Sequence, residues 1–408
     1  MKIYRAYKTE LDPNNKQRTA LLQHAGAARF AYNWGLRKKL LAYAETGKSP
    51  SAVDLHRELN RLKKIPKEDG GIPWMYDISK CAAQEALRNL DTAYKNFFRR
   101  CKKNATRKGF PQFKSRKRGI GSFTLTGSIV VGVTTIRLPR LGTLRLKERD
   151  YLPTVDVRIL QATVSERAGR WFVAVSVEEQ LPDHKPRGRH VVGVDVGSRN
   201  LAVTSDGELF RNPRSFRRAE RRLRMLQKAV TRKKKGSVNR KKAAARVARC
   251  HYKIACIRKD TLHKTSSTIV KSAAVIVLED LNVAGMMKNR CLSKSVSDAA
   301  MGELHRQIEY KAAWHGVQIL RADRWFPSSK TCSSCGVVNQ QLSLATEEWC
   351  CTTCNAIHDR DVNAAINLKK LAGSSSATAC CPDSSDVGSV TDVKLLVGQE
   401  PNTLEIDG

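Results

Sequence analysis

HVVGVDVGSRNLAVTSDGELF, residues 190–210, decides how this chain is read. Val191, Val192, Val194 and Val196 make a β-branched apolar run, the composition of a strand buried on both faces. Asp195 sits inside that run. A carboxylate there is costly unless something pairs with it, and a bound cation is the usual partner. Residues 201–204 read as a second strand, Asp206-Gly207 as a two-residue hairpin turn, and residues 208–210 as the return. A single acid on a strand is more often a turn former or a satisfied polar residue, so its meaning depends on partners further along.

Residues 214–269 predict two long basic helices about a turn at Gly236-Ser237. Phe216, Leu223, Leu226 and Val230 form the first apolar stripe; Val247, Ile254, Ile257 and Leu262 form the second. The other faces are almost all Arg and Lys, whereas a coiled hairpin would mix the signs, so a nucleic-acid-facing hairpin is expected. Residues 273–278 read as another buried strand, ending in Glu279, where α/β sheets build their sites. Lys288 to Ser297 is polar and basic and reads as a mobile loop, a lid over that site. A helix through Leu304, Ile308 and Ala312 and a strand over 317–320 follow. Strand, hairpin, strand, helices, strand, helix, strand is the connectivity of an RNase H-like domain.

Cys332-x-x-Cys335 and Cys351-x-x-Cys354 stand fifteen residues apart. Four thiolates in two such knuckles suit tetrahedral zinc, and the spacing favours Cys351 over the adjacent Cys350. Two redox dithiols would need a thioredoxin-like setting that is absent. The remaining cysteines show no ligand spacing and read as free thiols. Directly afterwards comes HDRDVNAAINL, residues 358–368, whose Ala364, Ala365, Ile366 and Leu368 open a helix suited to close packing on a sheet. Asp361 in its first turn would by itself be an ordinary helix-dipole acid. If the knuckles are an excursion from one domain, Asp361 returns to Asp195 and Glu279. Three acids so gathered could hold two divalent ions about 4 Å apart for phosphodiester hydrolysis, Mg²⁺ or Mn²⁺ by ligand type.

The composition agrees. A net charge of +36 over 408 residues reads as a polyanion binder, first of all nucleic acid. No long uncharged apolar stretch or signal pattern appears, so neither membrane nor secretion is expected, and the cytosol is the expected compartment. Nine histidines show no nucleophile motif, which argues against a Ser- or Cys-histidine hydrolase. In the N-terminal third, residues 2–11 read as an edge strand and Asp12-Pro13 as a helix start. That helix runs through Leu21, Leu22, Ala25, Phe30, Leu36 and Leu40; a second carries Leu55, Leu59 and Leu62. A third places Leu87, Leu90, Tyr94, Phe97 and Phe98 on one face, read as core, with Lys80 and Gln84 near its start. Residues 99–118 are densely basic with interleaved aromatics, which favours phosphate contacts. Residues 122–179 hold short alternating strands, implying an antiparallel sheet or small barrel, and 181–189 a linker. From Ala372 six acids stand against Lys394 in a Gly- and Ser-rich stretch expected to be disordered.

GVDVGSRNLAV, VLEDLNVAGM, WFPSSKTCSSCG and HDRDVNAAINL, in this order, resemble the TnpB (OrfB) family, the transposon-associated ancestor of compact type V CRISPR nucleases. The resemblance extends to residues 26–33 and 93–98 and covers all but the tail. It implies an RNA-guided DNA endonuclease with a guide RNA from the transposon end, a double-stranded DNA target and a short flanking motif. The implied fold is multidomain α+β and α/β. A wedge β-barrel takes residues 1–12 and 110–185 and a helical recognition module 13–109. A RuvC nuclease domain takes 186–326 and 355–371, a zinc-bearing target-nucleic-acid-binding module 327–354, and the tail 372–408. The implied catalytic triad is Asp195, Glu279 and Asp361 on Mg²⁺ or Mn²⁺, the family pattern selecting Asp361 over Asp359. Cys332, Cys335, Cys351 and Cys354 hold structural Zn²⁺, and Lys80 and Gln84 resemble positions that touch the flanking DNA. A monomer is the favoured state. An unguided RuvC-like resolvase and a non-cleaving zinc-ribbon regulator of transposition are the competing readings.

Overall fold

The computed structural model describes residues 2–181, 190–343, 346–373 and 377–379. Its residues fall into two compact units that divide between Gln180 and Leu181. The expected linker beyond Leu181 and the tail from 380 onward lie outside the described residues.

The first unit opens with strand β1 (Lys2–Leu11) and helices α1 (Asn15–Thr46), α2 (Ala52–Lys64) and α3 (Lys80–Lys102). Helix α1 does not start at Asp12 as expected. The Asp12 amide still donates to the Arg145 carbonyl at 2.8 Å, so the sheet holds that residue. Asn14 caps instead: it accepts from the Gln17 amide at 2.9 Å while the Gln17 side chain accepts from the Asn14 amide at 3.0 Å. The buried face of α1 also differs from the expected one. Leu21, Ala25, Ala28, Tyr32 and Leu36 are inside, whereas Leu22, Phe30 and Leu40 are exposed. Small residues let α1 and α3 approach closely, and these line the contact.

Six strands follow: β2 (Ser122–Leu125), β3 (Val130–Val131), β4 (Thr135–Leu138), β5 (Gly142–Arg145), β6 (Val157–Arg167) and β7 (Arg170–Gln180). One antiparallel sheet has the order β1-β7-β6-β2, with β1 at its edge as expected; the other is β3-β4-β5. A bridge between Leu11 and Leu146 links them. Leu21 and Leu90 from the helices share one core with Phe123, Leu125, Ile136, Val164 and Val173 from the strands. The chain between α3 and β2 is strapped onto α1. Asn33 clamps the Lys114 backbone through two hydrogen bonds of 2.7 and 2.8 Å, and Arg29 reaches the Ile120 carbonyl at 3.0 Å.

The second unit runs β8 (Val191–Asp195), β9 (Asn200–Thr204), β10 (Leu209–Arg211), α4 (Ser215–Thr231), α5 (Val238–Ser272), β11 (Val275–Glu279), α6 (Val283–Met286), α7 (Ser293–Ala299), α8 (Met301–His315) and β12 (Gln318–Ala322). It continues with β13 (Glu348–Cys350), β14 (Ile357–Asp359), α9 (Arg360–Lys370) and β15 (Ala377–Ala379). The main sheet has the order β10-β9-β8-β11-β12-β15, with β8, β11 and β12 parallel and the others antiparallel to their neighbours. Val192, Ile276, Leu262, Leu304 and Ile308 form the core on one face. Strand β15 falls inside the stretch expected to be disordered, because the backbone of β12 leaves an edge that it pairs.

Two further expectations change here. Helix α5 packs on both α4 and α8, so its buried face turns and leaves Ile257 exposed while Ile254 and Leu262 are buried. Residues 288–297 are not a free loop: from Ser293 onward they are α7, with Val296 and Ala299 in the core. Asp298 of α7 is buried and accepts from the Phe216 and Arg217 amides at 2.9 and 3.1 Å, capping α4 from outside its own sequence.

Candidate active site and cysteine knuckles

Parallel pairing of β8 with β11 places Leu278 beside Val194, so Asp195 and Glu279 end adjacent strands at the same edge of the sheet. Helix α9 crosses β8 and brings the third acid. The crossing is set by Gly193: a Cβ there would lie 2.0 Å from the Ala365 carbonyl oxygen and 2.5 Å from the Lys369 amide. Nothing larger than glycine lets α9 lie this close to the strand. Asp361, in the first turn of α9, is buried and takes a hydrogen bond from the Asn200 side chain at 3.4 Å and an ion pair from Arg360 at 3.3 Å.

The structure separates Asp361 from Asp359. Asp359 caps α9, its Oδ1 accepting from the Asp361 and Val362 amides at 3.0 and 2.9 Å, and its side chain is exposed. Asp361 is left to face the other acids. Burial raises Asp195 well above the usual carboxylate range, and the neighbouring charges of Glu279 and Asp361 raise it further. Glu279 is also raised by burial, against a lowering hydrogen bond from the Ser328 hydroxyl. Three recessed carboxylates repelling one another are a poor structural feature and a good cradle for hard divalent cations.

Cys332, Cys335, Cys351 and Cys354 gather with all four sulfurs within 4.8 Å of one another. The Cys332–Cys354 and Cys335–Cys351 pairs stand 3.6 Å apart, and His358 Nε2 lies 3.0 Å from the Cys332 sulfur. Amide hydrogen bonds from Cys354 and Thr353 lower the Cys351 thiol to about 6, which favours the thiolate a soft metal needs. Cys350, at the end of β13, is exposed and outside the group. Cys351→Ser is therefore expected to remove bound metal and make residues 330–356 protease-sensitive, while Cys350→Ser keeps the metal and the protease resistance. Metal content by atomic emission and limited proteolysis read this; equal metal in the two variants would refute the ligand assignment.

Sequence reasoning missed the residues that hold these parts together. Asn363 donates to the Thr331 carbonyl at 2.7 Å and accepts from the Ser333 amide at 2.8 Å; Asn367 donates to the Ser328 and Thr331 carbonyls at 2.8 and 2.6 Å. Two asparagines one helical turn apart beside a candidate catalytic acid were the available signal. Ser328, Asn200 and Gly193 offered none without coordinates. A cavity of about 310 Å³ lined by Arg199, Arg214, Arg217, Lys294 and Asp298 adjoins Asn200 through Arg199. Arg214 holds a left-handed backbone with φ 46, fixed by the Asn212 side chain, which accepts from its amide at 3.0 Å. Lys80 is exposed and Gln84 half-buried on the first turns of α3, in the first unit, apart from the acid cluster's own unit.

A protein of Streptomyces pristinaespiralis named "Putative RNA-guided DNA endonuclease" is 38% identical over 386 residues, covering 93% of this chain and 91% of the relative. The chain belongs to the TnpB (OrfB) family. A second TnpB relative, "Putative RNA-guided DNA endonuclease InsQ" of Escherichia coli K12, is 30% identical over 397 residues, with coverage of 93% and 94%. The family described as "Probable transposase" matches residues 162–290, and "Cas12f1-like, TNB domain" matches 302–368. "Helix-turn-helix domain" matches residues 1–48, where this TnpB member has strand β1 and one unbroken helix α1. A solved structure of the mini-RNA-guided endonuclease CRISPR-Cas_phi3 is 8% identical with a TM-score of 0.47, covering 91% of this chain and 92% of that one. No helix among the described residues is long and apolar enough to cross a membrane.

Proposed function

We infer that this chain is an RNA-guided DNA endonuclease of a transposable element, cutting DNA at Asp195, Glu279 and Asp361. The observation that carries the site is the convergence of the three acids, two on adjacent parallel strands and one delivered by α9 across Gly193. The strand order of the second unit supports an RNase H-like RuvC domain spanning 186–326 and 355–371, interrupted by the cysteine module at 327–354. The two sheets of the first unit support a wedge barrel from 1–12 and 110–185, with the helices of 13–109 as recognition module.

Guide RNA, transcribed from the element's end, pairs with one DNA strand and supplies sequence specificity, while side chains read only a flanking motif. Lys80 and Gln84 are the proposed reading residues. Asp195, Glu279 and Asp361 would hold Mg²⁺ or Mn²⁺, and Cys332, Cys335, Cys351 and Cys354 a structural Zn²⁺. Bound at the acids, a divalent pair supplies an activated water and stabilisation of the leaving oxygen. The chain does the rest. Asn200 and Arg360 aim Asp361, Ser328 aims Glu279, and the asparagines of α9 tie both to the knuckle. Arg214 and Arg217, exposed in the adjoining cavity, neutralise backbone phosphates of the strand entering the site.

The test is to express the protein with its native flanking DNA and sequence the copurifying RNA. That RNA is then programmed against a plasmid library with randomised flanks in Mg²⁺. A discrete RNA with double-strand breaks beside one motif is expected. RNA without cutting would leave a guided binder, and cutting without RNA an unguided resolvase.

A further inference from the structure

The rings on the last turns of α3 were expected to be core, and half of that expectation fails. Leu87 and Leu90 are fully buried, but Phe98 is 56% exposed and Phe110, from the strap that follows, 46%. Phe97–Phe110 at 5.1 Å, Phe97–Phe98 at 5.2 Å and Tyr94–Phe110 at 5.7 Å between centroids meet edge to edge or obliquely, while Tyr94 and Phe98 lie nearly parallel at 6.2 Å, so Tyr94 backs one face of Phe98. Tyr94 alone packs on the unit's core, and Lys39 backs it at 5.6 Å from the ring. The cluster is rooted at one end and open at the other.

Its presentation is fixed. Helix α3 ends at Lys102; beyond it Asn104 takes φ 47 and the Ala105 amide returns to the Arg100 carbonyl at 3.0 Å. Gly109, with φ +66, turns the chain under the Arg100 guanidinium, where a Cβ would come within 2.5 Å of it. Phe110 is thereby laid back on α3, and the Asn33 clamp on Lys114 holds the strap beyond it. A ring pair that merely stabilised a loop would gain most from burial, so the exposure is a cost. The surroundings name the occupant. Residues 99–118 carry ten Arg and Lys and no acid. Aromatic faces set in a phosphate-attracting field are what single-stranded nucleic acid uses, because every base has a π-face.

We propose that Phe98 and Phe110 form a stacking platform for an unpaired base of a single-stranded nucleic acid whose backbone lies along the basic strap. This site rests on the reading of the chain as a nucleic-acid binder but not on cleavage, and it adds a defined contact within the first unit.

The test uses the full chain and short oligonucleotides carrying 2-aminopurine, as RNA, as DNA and as duplex. Phe98→Leu/Phe110→Leu keeps apolar bulk and removes both π-faces. It is expected to weaken single-strand binding about tenfold or more and to abolish the stacking quench. The dependence of affinity on salt should keep its slope, since no charge has changed. Arg99→Gln/Lys108→Gln should do the reverse, flattening the salt slope by about 1.4 while the quench survives at low salt. Duplex binding should be indifferent to the leucine pair, and the stronger of the RNA and DNA arms identifies the strand. If the double variant melts early, Phe98→Leu alone decides, with Phe98→Tyr expected to restore the quench. An undiminished quench in the leucine variants overturns the platform. A wild-type chain that binds no oligonucleotide overturns the nucleic-acid reading with it.

Discussion

Asp195→Asn is expected to abolish DNA cutting, by about a thousandfold or more, while raising the thermal stability of the metal-free protein. The two effects share one cause. In the folded chain Asp195 is raised well above the usual carboxylate range by burial, then by Glu279 and Asp361. A raised carboxylate binds its proton more tightly folded than unfolded, so its contribution to stability is present below the unfolded value of about 4 and is lost as pH rises through the folded value. In chelator, the margin by which Asp195→Asn outlasts the wild type should therefore widen as pH climbs from about 4 towards neutral. Asparagine removes the charge and the dependence, so the variant should melt later than wild type at neutral pH. Magnesium reverses the ranking, because cation binding needs the carboxylate and stabilises only the state that holds it. The activity loss would follow from removing a proposed metal ligand, worth several kcal/mol of transition-state stabilisation. Asp359→Ala is the contrast: it removes a helix cap, costs about 1 kcal/mol, and leaves cutting in place. Scanning calorimetry with and without Mg²⁺, beside plasmid cleavage, reads all of this. A metal-free Asp195→Asn protein that melts earlier than wild type would break the argument from repulsion.

The strands and their acids were legible because burial writes itself as β-branched runs, and a carboxylate interrupting one is conspicuous. The knuckles were legible because metal ligation fixes spacing. Choosing Asp361 over Asp359 needed the family pattern, since both acids suit a helix start; the structure adds that Asp359 caps α9 while Asp361 is buried. The start of α1 was misplaced by two residues because Asp12-Pro13 is a good local signal, overridden by the sheet's hold on the Asp12 backbone. The segment at 288–297 looked like a loop because its polar residues conceal Val296, which packs in the core, and because the following Asp298 acts through α4. Long-range contacts of this kind leave no periodicity. The same limit explains Phe98 and Phe110: helical spacing shows which residues share a face, and not whether anything covers it.

Gly193 shows how much can rest on an atom that is missing. Its backbone is not left-handed, so the glycine is there for space and not for conformational freedom. Gly193→Ala would set a methyl 2.0 Å from the Ala365 carbonyl oxygen, and that oxygen belongs to the helix backbone and cannot rotate away. Either α9 lifts as a body or β8 bends. Overpacking of this kind costs about 3 kcal/mol or more, which for a unit of this size lowers the melting temperature by roughly 6–12 °C. The functional loss should exceed the stability loss. Asp361 rides on α9 and Asp195 sits two residues beyond Gly193 on β8, so lifting the helix separates two of the acids proposed to share the cations. Cutting is expected to fall by two orders of magnitude or more at temperatures where the variant remains folded. The clash is with backbone, so trimming the neighbouring side chain by Ala365→Gly should not rescue Gly193→Ala. A variant that cuts normally, or a rescue by Ala365→Gly, would show that α9 reaches the acids by some other register than the one this glycine permits.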